Sequence, residues 1–126
     1  MQRVAFQLCI KEGCEQAYDE AHRRVWPELI SELRAAGVVE YSIFRRNQDL
    51  FLYMEVLSFD SFLQYLDESE VDRRWQQEMA DLFVQVPSLR SGERFAMMNE
   101  VFHMSGQKTS TTDQERTNER MSSNGS

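Results

Sequence analysis

Residues 38–57, VVEYSIFRRNQDLFLYMEVL, decide the fold because they contain two apolar runs separated by a short polar turn. The runs cover roughly residues 38–46 and 50–57, and Asn47, Gln48 and Asp49 lie between them. Asn and Asp favour tight turns because their side chains hydrogen-bond to nearby backbone groups. The pattern therefore predicts a β-hairpin of two antiparallel strands.

Alternating apolar positions predict one further strand on each side of this hairpin. The first strand opens the chain, where alternate positions carry Val4, Phe6, Leu8 and Ile10. The second runs from about Arg94 to Met104. Alternation with a period of two is typical of a strand with one buried face, so both segments are expected to join the hairpin in one sheet.

Two helical pieces are predicted between the first strand and the hairpin. The first begins after Gly13 and breaks near Val25, since a proline cannot lie deep inside a helix. The helix then restarts with Pro27 at its first position and stops at Gly37.

Two more helical pieces are predicted after the hairpin. Asp60 or Ser61 is expected to cap a short helix, and a second helical stretch is expected over residues 71–84. The order of elements is then strand, helix, strand, strand, helix, strand. This is the ferredoxin-like βαββαβ plan of an α+β protein, with a four-stranded, mostly antiparallel sheet and helices on one face.

The other face of this sheet predicts a partner. Its strand positions carry large side chains, including Cys9, Phe51, Tyr53, Met98 and Phe102. An apolar patch of that size is rarely left open to water in a monomer. We therefore expect a homodimer in which two sheets pack together around a two-fold axis.

The composition indicates one domain with an acidic surface. The chain has 126 residues, 41% of them hydrophobic, which is enough for one core, and its formal net charge is −7 at pH 7. Such a surface repels phosphate backbones and anionic headgroups, so neither a nucleic-acid partner nor a membrane partner is expected.

No apolar stretch approaches the roughly 18 residues that span a bilayer, and no signal-peptide core is present. We expect a cytoplasmic protein with two reduced cysteines.

The composition changes after Met104. Residues 105–126 are almost all polar or charged, and Met121 is the single large apolar side chain among them. Such a segment buries too little apolar surface to offset its chain entropy. The sequence therefore predicts a domain over residues 1–104 and a disordered tail over residues 105–126.

The glycine and histidine positions disfavour a nucleotide, a metal ion or another cofactor. The five glycines never cluster into a phosphate-binding loop. The two histidines, His22 and His103, have no partner at a metal-ligand spacing. We therefore expect a site that works with side chains alone.

One constellation stands out in residues 18–29, YDEAHRRVWPEL. Tyr18, His22 and Trp26 each follow the previous one by four residues, so the first two share a helix face. Aromatic rings and an imidazole suit a sugar, whose C–H faces stack on rings while its hydroxyls form hydrogen bonds. Aromatic residues at helical spacing also commonly pack in a core, and the spacing alone leaves both interpretations open.

Four separated stretches resemble one known family. These are residues 18–29, the strand beginning Tyr41-Ser42-Ile43-Phe44, the segment RWQQEM at residues 74–79, and the sequence EVFH at residues 100–103. Together, in this order, they resemble the L-rhamnose mutarotase family. The resemblance implies a dimeric ferredoxin-like α+β barrel that uses no cofactor and interconverts the α and β anomers of L-rhamnose.

The resemblance also implies roles for particular residues. The catalytic histidine of the family falls on His22, and its sugar-contacting tyrosines fall on Tyr18 and Tyr41. A tryptophan pair of some members falls on Trp75 and Gln76, so this chain keeps the first ring and has an amide in place of the second. A related 6-deoxyhexose such as L-fucose is therefore an alternative substrate.

Anomer exchange requires one acid and one base, and an imidazole, with an ordinary pKa of about 6.5, suits both roles. We expect His22 to donate and recover the ring-oxygen proton, while the second proton passes through water or a carboxylate.

His103 is the competing histidine, and its position near a strand end favours a surface role. The alternative functions are a non-catalytic sugar-binding dimer and, more remotely, an oxygenase-like barrel.

Overall fold

The structure is a computed structural model that describes residues 1–106. It contains five strands and four helices in the order β1 (Gln2–Ile10), α1 (Glu15–Arg23), α2 (Pro27–Ala35), β2 (Val38–Arg46), β3 (Asp49–Val56), α3 (Phe59–Asp67), α4 (Glu70–Met79), β4 (Phe83–Val84) and β5 (Ala96–Met98). Single 3₁₀ turns follow α4, at Ala80–Leu82, and end the described part, at Met104–Gly106. From residue 107 onwards, the predicted tail lies outside the described residues.

The sheet confirms the predicted α+β plan. Strand β3 lies between β2 and β1, and both pairings are antiparallel. The hairpin turn consists of Asn47 and Gln48, and Asn47 adopts the left-handed backbone conformation, with a φ of 55°. Asparagine tolerates this conformation better than most residues, which explains why the chain reverses here.

The fourth strand position differs from the prediction, because two short segments occupy it. Strand β4 pairs with Cys9 and Ile10 of β1, and β5 pairs with the stretch 5–7 of the same strand. Residues 85–95 leave the sheet between them. The expected strand from Arg94 to Met104 is therefore only three residues long.

Side-chain packing explains why the fourth strand is interrupted. The Phe95 ring packs on the Phe6 ring, with 4.6 Å between the ring centroids. The Arg94 guanidinium forms an ion pair with Asp67 at the end of α3, at 2.7 Å. Pro87 has no amide hydrogen for a sheet ladder, so the segment that carries it leaves the edge of β1.

The helix break is confirmed, and the helix ends after the hairpin are corrected. Helix α1 ends at Arg23, and Pro27 is the first residue of α2. Helix α3 is capped by Ser58 rather than by Asp60 or Ser61. The Ser58 hydroxyl accepts a hydrogen bond from the Ser61 backbone amide. Helix α4 starts at residue 70 and ends at residue 79, earlier than predicted, because the following residues turn to pair with β1.

The core lies between the helix layer and one face of the sheet. Its most deeply buried side chains come from β1 and β3, namely Ile10, Leu50, Met54 and Val56. Helices contribute Leu29, Phe62, Trp75 and Met79 to the same cluster. The opposite sheet face carries Phe44, Phe51 and Met98, which are 64%, 38% and 43% exposed. The predicted apolar patch on that face is therefore present in the folded chain.

Within residues 1–106, none of the helices combines the length and the apolar composition that crossing a bilayer requires. The cytoplasmic location and the lack of a nucleic-acid or membrane partner stay predictions from the sequence.

Candidate active site

A cavity of about 610 Å³ lies between the helix layer and the sheet. Most of its wall is apolar, with side chains from α2, α3 and the three long strands. Five polar or charged side chains reach the wall, and they are His22, Tyr41, Asp72, Gln76 and Arg94. An apolar cavity of this size with a few convergent polar groups is typical of a small-molecule site.

The His22 imidazole is held in one orientation on α1. Its Nδ1 lies 3.0 Å from the backbone carbonyl oxygen of Tyr18, one helical turn earlier. The ring stacks on the Tyr18 ring at 4.1 Å between centroids, and its other neighbour is the Trp75 ring, edge-on at 5.6 Å. A carbonyl oxygen only accepts hydrogen bonds, so Nδ1 carries the donated hydrogen and Nε2 remains the nitrogen that gains or loses a proton.

Tyr18 lies behind His22 rather than on the cavity wall. Its side chain is only 4% exposed, and its ring also contacts Phe83 edge-on at 6.0 Å. Burial raises the pKa of the Tyr18 phenol to about 12, with the Asp19 charge acting in the same direction. Tyr18 therefore stays neutral and supports the imidazole through ring stacking.

The two tryptophans form a perpendicular pair, and only one of them reaches the cavity. Their ring centroids are 5.1 Å apart with an interplanar angle of 85°. Trp75 lines the cavity, whereas Trp26 lines a shallower depression on the outer side, where the Arg74 guanidinium lies 5.7 Å from its ring centroid. Of the predicted site residues, the structure brings His22, Tyr41, Trp75 and Gln76 together and places Tyr18 and Trp26 behind them.

Tyr41 approaches the cavity from the sheet. It lies on β2, opposite Met54 of β3, on the face that packs against the helices. Burial raises the pKa of the Tyr41 phenol well above its ordinary value, and the Asp72 charge adds to this shift. The group therefore remains a hydroxyl, which can donate a hydrogen bond to a ligand but is a poor base.

Two charged wall residues, Asp72 and Arg94, were missed by the sequence analysis. Asp72 lies on the first turn of α4, and its Oδ1 accepts a hydrogen bond from the Gln76 Nε2 at 3.4 Å. Burial raises the pKa of the Asp72 carboxyl above its ordinary value, although the Gln76 hydrogen bond and the Arg94 charge oppose this shift. The spacing of Asp72 from Trp75 and Gln76, three and four residues, could have identified it as a residue on the same helix face.

Comparison with known proteins adds independent evidence. The family model for L-rhamnose mutarotase matches residues 3–104. An L-rhamnose mutarotase of Formosa agariphila is 36% identical over 106 residues, which cover 82% of this chain and 99% of that protein. One of Paraburkholderia phymatum is 34% identical over 88 residues, which cover 69% of this chain and 82% of that protein.

A solved structure is similar over the same part of the chain. The crystal structure of an L-rhamnose mutarotase from Formosa agariphila has a TM-score of 0.66 and 31% sequence identity, and it covers 82% of this chain and 99% of that one. Since the family model spans most of the chain, and the Formosa agariphila relative matches along nearly its whole length, this chain belongs to the L-rhamnose mutarotase family.

Proposed function

We propose that this protein interconverts the α and β anomers of L-rhamnose by opening and reclosing the sugar ring, with His22 transferring the ring-oxygen proton. Membership of the family supports an anomer-interconverting carbohydrate isomerase. The proposal for His22 is supported by its orientation, in which Nδ1 bonds to the Tyr18 carbonyl oxygen and Nε2 is left for proton exchange with a ligand in the cavity that the ring lines.

The fixed orientation of His22 is the observation that carries this proposal. Because the Tyr18 carbonyl oxygen accepts the Nδ1 hydrogen, protonation and deprotonation both occur at Nε2. One nitrogen can then protonate the ring oxygen when the ring opens and recover the same proton when it closes. The stacked Tyr18 ring and the edge-on Trp75 ring restrict rotation of the imidazole between these two steps.

The remaining wall residues suit a pyranose. A sugar presents C–H faces that pack against rings and apolar side chains, and the Trp75 ring and the apolar wall offer such surfaces. The Tyr41 hydroxyl and the Gln76 amide offer hydrogen bonds to sugar hydroxyls. The cavity volume of about 610 Å³ lies within the usual range for small-ligand sites.

The proposal includes a homodimer formed through the open face of the sheet. Phe44 and Phe51 are directly opposite each other on β2 and β3, and both are exposed on that face. Tyr53 and Met98 lie on the same side, each opposite Ala5 of the central strand β1. A second copy would cover these side chains with the same surface, as a two-fold axis requires.

The test is a comparison of anomer exchange with and without the protein. Saturation-transfer NMR on equilibrated L-rhamnose should show faster exchange between the two anomeric signals, and freshly dissolved α-L-rhamnose should lose its initial optical rotation faster. A non-catalytic sugar-binding protein would raise its melting temperature with rhamnose and leave both rates unchanged. The same assay on L-fucose measures the preference between the two 6-deoxyhexoses.

Replacing Tyr41 with phenylalanine should weaken sugar binding without unfolding the protein. The ring still fills its place against the core, and only the hydroxyl is lost. A hydrogen bond contributes about 0.5–1.5 kcal/mol, so we expect the KM for L-rhamnose to rise by roughly 2- to 13-fold. An unchanged KM in the NMR assay would show that the Tyr41 hydroxyl does not contact the sugar.

A further inference from the structure

We infer that Asp72 is the second proton-transfer group of this site, and that it takes the proton from the anomeric hydroxyl while His22 protonates the ring oxygen. This inference rests on the proposed function, and it assigns a residue to the second proton transfer, which the proposed function leaves unassigned. Ring opening needs a base at the anomeric hydroxyl and an acid at the ring oxygen, and one imidazole cannot supply both at the same moment.

The composition of the cavity wall leaves one candidate for this base. Its titratable side chains within the described part of the chain are His22, Tyr41, Asp72 and Arg94. Tyr41 stays protonated because burial raises the pKa of its phenol. The Arg94 guanidinium does not lose its proton in proteins and is paired with Asp67. Asp72 is therefore the wall residue that can accept a proton alongside His22.

The two groups reach the cavity from different helices. His22 is on α1 and Asp72 is on α4, and Trp75 connects them, because it follows Asp72 by three residues and its ring contacts the His22 imidazole edge-on. A ligand on the Trp75 side of the cavity would lie within the region that both groups line. Two proton-transfer groups on separate elements can serve the ring oxygen and the anomeric hydroxyl oxygen of one sugar.

The Asp72 carboxylate is held in place by its own helix. Gln76, one turn later, donates a hydrogen bond from Nε2 to Oδ1 at 3.4 Å, which leaves Oδ2 for a sugar hydroxyl. The Asp72 backbone amide donates to the Ser69 hydroxyl at 3.2 Å, which anchors this turn at the start of α4. The Gln76 contact orients the carboxylate and the Ser69 contact holds the backbone that carries it, and neither contact uses Oδ2.

The surroundings of Asp72 also suit a base. Its burial destabilises the charged form and raises its pKa, and the anionic Asp67 and Glu32 act in the same direction. The Arg94 cation and the Gln76 amide favour the charged form, and the Tyr41 phenol on β2 is close enough for its own pKa to respond to Asp72. A carboxyl with a raised pKa is a stronger base than an ordinary aspartate when it is ionised.

The step balances without any other reactant. The Asp72 carboxylate takes the proton of the anomeric hydroxyl, the electrons of that O–H bond form the C1 carbonyl, the bond from C1 to the ring oxygen breaks, and the ring oxygen takes the proton from His22 Nε2. Rotation about the C1–C2 bond then presents the other carbonyl face. Reclosure reverses each transfer, and both side chains return to their starting forms.

The test compares Asp72→Asn with the wild-type protein. Asparagine keeps the shape and the Oδ1 acceptor for Gln76 but cannot take a proton, so kcat for anomer exchange should fall by about 100-fold or more. The affinity for L-rhamnose, measured by titration calorimetry, should stay within about threefold. Glu70→Gln is the matched control, because Glu70 is on the same helical turn, ion-paired to Arg73 and outside the cavity.

The pH profile separates proton transfer from a structural role. The wild-type rate should fall at low pH as Asp72 becomes protonated, and the raised pKa places this fall above the usual range of an aspartate. Asp72→Asn should lack this acidic limb. In Asp72→Ala, added formate should restore part of the rate, since a free carboxylate can occupy the vacated space.

Three outcomes would overturn the inference: near-wild-type kcat in Asp72→Asn, an acidic limb that persists in that variant, or no rescue of Asp72→Ala by formate. The first two would assign the second transfer to water, and the third would show that Asp72 supports the shape of the site and is not its base. The His22-dependent activity would remain in all three cases. Failure of the proposed function is a different result, in which the wild-type protein itself does not accelerate anomer exchange.

Discussion

Replacing His22 with alanine is expected to lower the catalysed anomer exchange of L-rhamnose by about 100- to 10,000-fold, the contribution that positioned proton transfer typically makes. The imidazole lines the cavity with Nδ1 bonded to the Tyr18 carbonyl oxygen, and alanine carries no group that can protonate the ring oxygen in its place. Saturation-transfer NMR at equal protein concentration measures the loss. The circular dichroism spectrum should stay unchanged, because the side chain that is removed is only half-buried.

His103→Ala is the matched control for this experiment. His103 follows β5 and lies near the Arg3–Glu100 ion pair; the Arg3 hydrogen bond lowers the pKa of the Glu100 carboxyl, and His103 adds to this effect. It is absent from the cavity wall in the described part of the chain. We expect this variant to keep the wild-type exchange rate. The assignment to His22 is wrong if His103→Ala loses the activity and His22→Ala keeps it.

The features that the sequence predicted well are those that neighbouring residues determine. The hairpin follows from two apolar runs around Asn47 and Gln48, and the helix break follows from Pro27. In both cases the cause lies within a few residues of its effect. Turn chemistry and the missing amide hydrogen of proline act locally, so they could be read without knowledge of the fold.

The features that were missed depend on distant contacts. The strand expected from Arg94 to Met104 begins only at Ala96, because Phe95 packs on Phe6 and Arg94 pairs with Asp67, both far away in the sequence, and it ends at Met98. The 3₁₀ turn after α4 ends where the backbone of Lys11 donates to the Leu82 carbonyl oxygen at 2.7 Å. Such pairings compete with local helical preference and cannot be read from periodicity.

The residues of the site also divide into those that the sequence could identify and those that depend on the fold. Residue spacing and the family resemblance pointed to His22, the resemblance alone pointed to Tyr41, and the structure brings both to the cavity wall. Asp72 was missed because it precedes two arginines in the sequence, where a carboxylate resembles part of a solvated helix face. The helical spacing also could not show which of the two tryptophans, Trp26 or Trp75, lines the cavity. That depends on how α2 packs against α4.

Replacing Phe44 with glutamate is expected to convert the proposed dimer into a monomer. Phe44 is 64% exposed in the single chain, so a charged side chain at this position costs the fold little. In the dimer, the same carboxylate would be buried without a partner against the sheet of the second copy. Loss of a central aromatic contact costs at least about 2 kcal/mol, so the dissociation constant should rise by about 30-fold or more.

Sedimentation velocity over a range of protein concentrations measures this change, and Tyr65→Glu is the control. Tyr65 is an exposed ring on α3, on the helix side of the sheet, so its replacement should leave the dimer intact. A wild-type protein that sediments as a monomer at all concentrations would contradict the dimer itself. If the Phe44→Glu dimer instead has the wild-type dissociation constant, the two copies bind through another surface. The Phe44–Phe51 face then requires a different partner.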